Sequence, residues 1–448
     1  MAELNPTHDP SRRSWIEAAN DGSCDFPVQN LPFGVFRRPG GAPRGGVAIG
    51  DQVFDLTEAI AAGLLSGMAA EAARAAMGPS LNQLLAMPPD SVSALRARLS
   101  ELLRVGGSDS DTARRIGSRL LVPMEALELE LPVSVGAYTD FSCSYTHMGG
   151  MRGGEPVRAF FHVPIGYHGR ASSLRPSGAA VRRPHGQWAA SPPDEDIRFG
   201  PEPRMDFELE FAVFVGRGSE LGVPLSVDQA AERIFGYCLL NDWSARGIQF
   251  FESVLGPFLG KSFLTTISPW IVTAEALAPF RVPLAPRAAN VPPIPAHLDS
   301  RNNQQLGALD IELTAYLQTA AMRSAKTPPS RIVRTDFEHM YWTFAQMLAH
   351  HTSNGCNLQT GDVLASGTTS GPEPDARACL AEINQRGTRP LELPGGERRL
   401  WLEDGDCLQI RGRARREGYV SIGFGACDGQ VEAAMPWSPE TAPDDAIA

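Results

Sequence analysis

The chain has 448 residues, with 40 Lys+Arg against 51 Asp+Glu and a net charge of −11, a length that fits two or three domains with enough apolar content to bury them. The acidic excess is spread along the chain and no basic block stands out, which excludes nucleic acid and an anionic membrane surface as expected partners. The seven cysteines are odd in number, scattered and without a C-x-x-C pair, so neither a disulfide framework nor a zinc cage is expected, and reduced thiols in the cytoplasm are.

The first residues, MAELNPTHDPSRRSW, are polar and lack the apolar stretch of a secretory signal. No segment approaches the roughly 18 consecutive apolar residues of a membrane span. From about Phe33 to Leu56, short β-rich runs are joined by Gly/Pro turns, the pattern of a small β-barrel or hairpin unit. Residues 58 to 76 are alanine-rich, and SVSALRARLSELLRV (91 to 105) puts Leu95, Leu99, Leu102 and Leu103 on one helical stripe, which predicts packing against neighbouring elements. Strands and Gly-rich turns take over after LLVPMEALELELPVSVGAYTDF, which predicts a boundary near residue 130: an N-terminal domain over 1–130 and a second over 131–448. Two Pro-rich stretches, 191 to 203 and 281 to 304, read as long surface loops. No internal repeat is present, and the tail WSPETAPDDAIA reads as short, acidic and disordered.

Four segments concentrate polar residues in apolar or glycine-rich surroundings: TDFSCSYTHMGGMR, MDFELEFAVFVG, LLNDWSARGIQFFESVLGPFLGKSF and LASGTTSGPEP. In the second, Asp206, Glu208 and Glu210 alternate with Phe207, Leu209 and Phe211, so an extended strand would point all three acids to one face. A strand with one solvated face would account for the row without a metal. The run turns wholly apolar through Val215, however, and acids leading into a buried strand are costly unless paired or bound to a cation. Oxygen ligands without cysteine or a histidine pair favour a hard ion such as Mg²⁺ or Ca²⁺. Asp140 and Asp242, each at the end of an apolar run, are the natural additional ligands. His147 follows in a Gly-rich context, and Arg246, Gln249 and Lys261 follow Asp242 between Trp243 and the LGPFLG turn, a setting for a fixed, donor-rich pocket wall.

Taken together, PFGVF, GVAIGDQVFDL, PIGYHGRASS, NDWSAR, LGPFLGKSF, HHTSNGCNLQTGD and LASGTTSGPEP resemble the fumarylacetoacetate hydrolase family over nearly the whole chain. The resemblance implies a mainly β, α+β protein: an N-terminal SH3-like barrel followed by a C-terminal mixed β-roll catalytic domain, assembled as a homodimer. It implies metal ligation by Asp140, Glu208, Glu210 and Asp242, with Lys261 and Thr265 close to the ion, and leaves Asp206 as a supporting or exposed acid. The implied reaction is hydrolysis of a carbon–carbon bond in a small β-diketo acid, giving fumarate and acetoacetate from 4-fumarylacetoacetate in tyrosine and phenylalanine breakdown. In it His147 matches the general base, Glu382 in CLAEINQRG the carboxylate that orients it, and Arg246, Gln249 and Lys261 the oxyanion donors. Arg152, Tyr167, Gln249 and Thr368 match substrate contacts.

Departures from the family pattern gather around the acid-binding end of the pocket. Ser142 and Ser253 stand where tyrosines are usual, Gly247 stands where an acid usually follows NDWSAR, and the loops from His147 to Arg152 and from Gln249 to Lys261 are shorter. Tyr145 or water could fill the space. Two alternatives therefore accompany the main reading: a hydrolase of another acylpyruvate or β-diketo acid, and a non-catalytic dimer that binds diketo acids.

Overall fold

The computed structural model describes residues 3–151, 153–190, 196–287 and 290–437. Arg152 and the tail from residue 438 onward lie outside them. The fold is mainly β with helices on its flanks. Among the described residues, no helix is long and apolar enough to cross a membrane.

Near the N-terminus the strands Phe33–Arg37, Arg44–Ile49 and Gln52–Asp55 form an antiparallel meander. Asp55 ends it and caps the next helix, Leu56–Ala61, by accepting from the Thr57 and Glu58 amides. Pro89 opens the helix Pro89–Leu103, where its missing N–H costs nothing. The leucine stripe of that helix (Leu95, Leu99, Leu102, Leu103) is fully buried, as its periodicity predicts.

The meander does not close on itself alone. Phe33–Arg37 pairs with Trp270–Thr273, at Phe33↔Ile271 and Gly34↔Trp270. From there a mixed sheet continues through Ile234–Asp242, Leu209–Val215, Val363–Ala365, Tyr138–Phe141 and Gly166–Gly169. Leu209–Val215 is central and apolar on both faces. Phe211, Val213 and Val215 enter a core shared with a second sheet, built on Ile311–Gln318 and Cys407–Ala414, where Phe211 stacks on Tyr237 at 5.4 Å. Ala212 and Phe214 face the opposite way, into a core with the N-terminal helices. Residues before and after position 130 thus share one sheet and one apolar layer.

Three sequence expectations change. The run 205–216 is not one strand: Met205–Asp206 pairs with Ser244–Ala245, the chain breaks at 207–208, and Leu209–Val215 pairs with Ile234–Asp242. Within 191–203, residues Ile197–Pro201 form a strand against His185–Ala189, anchored by Phe199 packing edge-on to Trp437 at 5.0 Å. Within 281–304, Arg281–Val282 pairs with Ala308–Leu309, and a helix starts at Arg301 behind its Ser300 cap. In the first stretch Pro201 is itself paired, opposite His185 at the strand end, and in the second the prolines flank the paired residues, an order that a compositional reading averages away.

Candidate metal centre and active site

Three strands carry the acids to one end of the main sheet, with Val363–Ala365 standing between two of them. Asp140 lies on Tyr138–Phe141 beside Ala365, Asp242 ends Ile234–Asp242 opposite Thr265, and Glu210 lies near the start of Leu209–Val215. Glu208 sits in the break just before that strand, where its carbonyl accepts the Asp242 amide at 3.2 Å. Glu210 shares its face of the strand with Ala212 and Phe214, so the alternation that buries the strand also delivers its carboxylate. One oxygen from each of Asp140, Glu208, Glu210 and Asp242 lies within 4.8 Å of the others, and all four residues are buried.

Two cations answer this charge in part. Lys261 Nζ donates to Asp242 Oδ2 at 2.7 Å and also to Glu208, while Arg246 pairs with Glu208 Oε1 at 2.8 Å. Burial would raise the Glu208 carboxyl, but Lys261 and Arg246 outweigh it and hold it below the usual range. Burial would likewise strip Lys261 of its proton, and the charges of Asp242 and Glu208 reverse that. For Asp140 and Glu210 the opposing charge of Lys261 is not enough: burial, and after it the charge of the neighbouring carboxylates, pushes both well above the ordinary carboxylate range. Asp140 Oδ1 and Glu210 Oε1 are buried with no hydrogen-bond partner. Orphaned carboxylate oxygens facing other carboxylates fit a bound cation, and an all-oxygen set suits a hard divalent one. Thr265 Oγ1 donates to Asp242 Oδ1 at 3.0 Å, so Thr265 and the protonated Lys261, which has no lone pair to give, support these carboxylates from behind.

Beside this cluster stands a hydrogen-bonded histidine–carboxylate pair, His147 and Glu382. Ser144 caps the helix Tyr145–Gly150 by accepting the His147 amide at 3.0 Å. His147 Nδ1 lies 2.8 Å from Glu382 Oε2, which also accepts from Ser370 Oγ at 2.5 Å and Cys379 Sγ at 3.3 Å. With Nδ1–H donated to the carboxylate, the lone pair of the ring is on Nε2. Burial alone would raise Glu382, but His147 first, and then the bonds from Ser370 and Cys379, keep it below the usual carboxylate range.

The donor wall comes from the helix Arg246–Glu252. Arg246 Nη1 donates to Gln249 Oε1 at 2.9 Å and Arg246 Nε to Asp206 Oδ2 at 2.8 Å. Asp206 is therefore buried and supporting, not a member of the four-acid cluster. Its carboxylate also accepts the Leu380 and Ala381 amides, at 2.7 and 3.1 Å, at the start of the short helix that carries Glu382. Tyr167 donates its hydroxyl to Asp242 Oδ2 at 2.7 Å and, with Tyr138, Arg170, Phe258 and Lys261, lines a cavity of about 160 Å³. Thr368 is buried, with its hydroxyl unpartnered. Ser142 is half-buried, and Ser253 is exposed with its hydroxyl turned to the Gln249 carbonyl. Tyr145 is bound to Glu155 at 2.5 Å, which takes up the hydroxyl considered above as a filler of the gap.

Sequence reasoning missed Ser370, Cys379 and Glu202 as neighbours of the site. SGPEP, which flags the Ser370 segment, was the one local signal available. Cys379 and Glu202 offer none, since they meet their partners only through the fold.

Comparison with known proteins shows the family of the chain. Residues 29–132 match the family model described as fumarylacetoacetase N-terminal, and residues 136–432 the one described as fumarylacetoacetate (FAA) hydrolase C-terminal. The fumarylacetoacetase of Oryza sativa subsp. japonica is 43% identical over 437 residues, covering 95% of this chain and 98% of that protein. That of Bos taurus is 42% identical over 434 residues, covering 95% of this chain and 100% of that protein. A crystal structure of an HpcE-type protein from Mycobacterium smegmatis, 17% identical, superposes with a TM-score of 0.50 over 90% of this chain and 99% of that chain, a likeness of fold alone.

Proposed function

The chain belongs to the fumarylacetoacetate hydrolase family, and from that membership and the geometry above we propose that it hydrolyses 4-fumarylacetoacetate to fumarate and acetoacetate, a step of tyrosine and phenylalanine catabolism. The observation that carries the mechanism is the His147–Glu382 pair, 2.8 Å apart, beside four buried carboxylates of which two keep orphaned oxygens. Asp140, Glu208, Glu210 and Asp242 would hold a divalent ion, Mg²⁺ or Ca²⁺. Such an ion supplies Lewis-acid polarisation of the diketone oxygens and stabilises the enolate that leaves.

The remaining chemistry belongs to the side chains. Glu382 holds His147 in the tautomer whose Nε2 accepts a proton from water, and the water oxygen bonds to the carbonyl carbon. Negative charge then develops on the carbonyl oxygen, where Arg246, Gln249 and Lys261 are the donors placed to stabilise it. When the carbon–carbon bond breaks, its electron pair goes to the departing carbon as an enolate, and the proton held on His147 is available to quench it. Arg152, Tyr167, Gln249 and Thr368 are the substrate contacts in this reading, an arginine and a hydroxyl both being suited to a carboxylate. A homodimer and a cytoplasmic location belong to the same proposal. They are supported by the family resemblance and by seven unpaired cysteines, and a monomeric mass by light scattering would remove the first.

The test follows the loss of diketone absorbance of fumarylacetoacetate with purified protein. Turnover is expected, abolished by EDTA and restored by Mg²⁺ or Ca²⁺. His147→Ala should lower kcat by about 10²–10⁴ while leaving the cation-dependent rise in thermal stability intact. A folded, metal-loaded protein without turnover would overturn the substrate assignment and direct the search to other β-diketo acids, with Ser142 and Ser253 as the first suspects.

A further inference from the structure

Glu202 is a fully buried carboxylate outside both the four-acid cluster and the His147–Glu382 pair. It lies on the turn between Ile197–Pro201 and Met205–Asp206, where Oε1 accepts the Arg204 amide at 2.7 Å. The rest of its bonding is remote in sequence: Oε1 accepts the Gly247 amide at 3.0 Å and Oε2 the Ile248 amide at 2.9 Å. These amides belong to the first turn of the helix that carries Arg246 and Gln249. A first turn has no intrahelical acceptors for its N–H groups, and the N-cap residue here, Ala245, has no side chain to offer. A carboxylate at that end also opposes the positive pole of the helix.

The space is as specific as the bonding. A Cβ at Gly247 would lie 2.6 Å from Glu202 Oε1, inside any real contact distance, so a side chain at 247 would displace the Glu202 carboxylate from the place where it meets the Gly247 and Ile248 amides. Position 247 is also where the chain departs from the family pattern by lacking an acid.

We propose that Glu202 is a positioning residue for Arg246 and Gln249. It reaches in from another segment to hold the first turn of their helix, and stands where a carboxylate carried at 247 would otherwise have to go. With that turn fixed, the Arg246 guanidinium spans Asp206, Glu208 and Gln249 at once. If the turn loosened, the donors would lose their common aim. The catalytic part of this inference rests on the reading that Arg246 and Gln249 stabilise the oxyanion; the capping part does not.

The test compares Glu202→Ala, Gly247→Asp and the double variant, by hydrogen exchange of the 246–252 amides and by kcat and KM in the metal-loaded protein. Glu202→Ala should speed exchange in that segment and lower kcat by about 10- to 100-fold, as loss of supporting contacts commonly does, with KM changing less. Gly247→Asp alone should impair both readouts, because its carboxylate meets that of Glu202. The double variant should recover both. Glu202→Gln, which keeps one carbonyl acceptor and is the milder change should Glu202→Ala fail to fold, should fall in between. Faster exchange with unchanged kcat would reduce Glu202 to a structural cap and overturn the positioning role. Unchanged exchange would overturn the capping itself, and a double variant no better than the singles would overturn the exchange of place between 202 and 247. If the wild-type protein turns over no fumarylacetoacetate, the oxyanion reading fails, and exchange alone decides the capping.

Discussion

Glu382 takes hydrogen bonds on one oxygen from His147, Ser370 and Cys379, so its ionised form is favoured in the folded state. Its carboxyl therefore titrates below the ordinary glutamate value of about 4.3, which it recovers on unfolding. The sign follows from linkage: the stabilisation is fully present above that ordinary value and is lost as pH falls through the lower folded one. Glu382→Gln should thus be less stable than the parent by about 1.5–3 kcal/mol at pH 7, the range for hydrogen bonds to a charged group. Urea unfolding should show that gap closing below about pH 4, and a gap that widened on acidification would contradict the assignment. The neighbouring acids show how far identity in sequence falls short of identity in role. Glu208 and Glu210 point into the candidate metal centre, whereas Asp206 joins Arg246 to the helix of Glu382.

Among the elements, the contact between Phe33–Arg37 and Trp270–Thr273 decides how the N-terminal meander is attached. Gly34 lies opposite Trp270, and a Cβ there would come within 2.5 Å of the indole ring. That ring is buried against Phe26, at 5.8 Å between centroids, and has little room to yield. Gly34→Ala is expected to cost about 1–3 kcal/mol, the usual range for overpacking a filled core. Thermal unfolding would measure it, and a neutral result would mean that the two strands can separate without loss. The same junction explains why the meander reads as an independent unit in sequence. Its hairpins are local, with turn residues beside them, while its partner strand lies more than 200 residues away.

At the scale of the molecule, one apolar layer joins the N-terminal helices to the face of the sheet whose end bears the acids. Ala212, Phe214, Cys238, Leu240, Ile267 and Ile271 all belong to it. A fragment of residues 131–448 would expose this face, a patch that folded monomers do not tolerate. Such a fragment should bind ANS, lose its near-UV circular dichroism and lack turnover, keeping secondary structure without fixed packing. Cooperative unfolding and normal activity in the fragment would refute this coupling.

By itself the sequence determined the class of fold, the leucine stripe of Pro89–Leu103, and the four acids that the fold gathers into one buried cluster. These rest on periodicity, on acids next to buried strands, and on long local motifs, all of which are written in neighbouring positions. Only the tertiary structure decided that Asp206 is supporting and not exposed: a break at 207–208 ends the alternation that a single strand would have kept, and the acid is buried on Arg246 and the Leu380 and Ala381 amides. It alone placed Glu202 on the Gly247 and Ile248 amides, 45 and 46 residues away, and Tyr167 on Asp242. A buried carboxylate must find donors, but which donors it finds depends on which distant segments the sheet brings together.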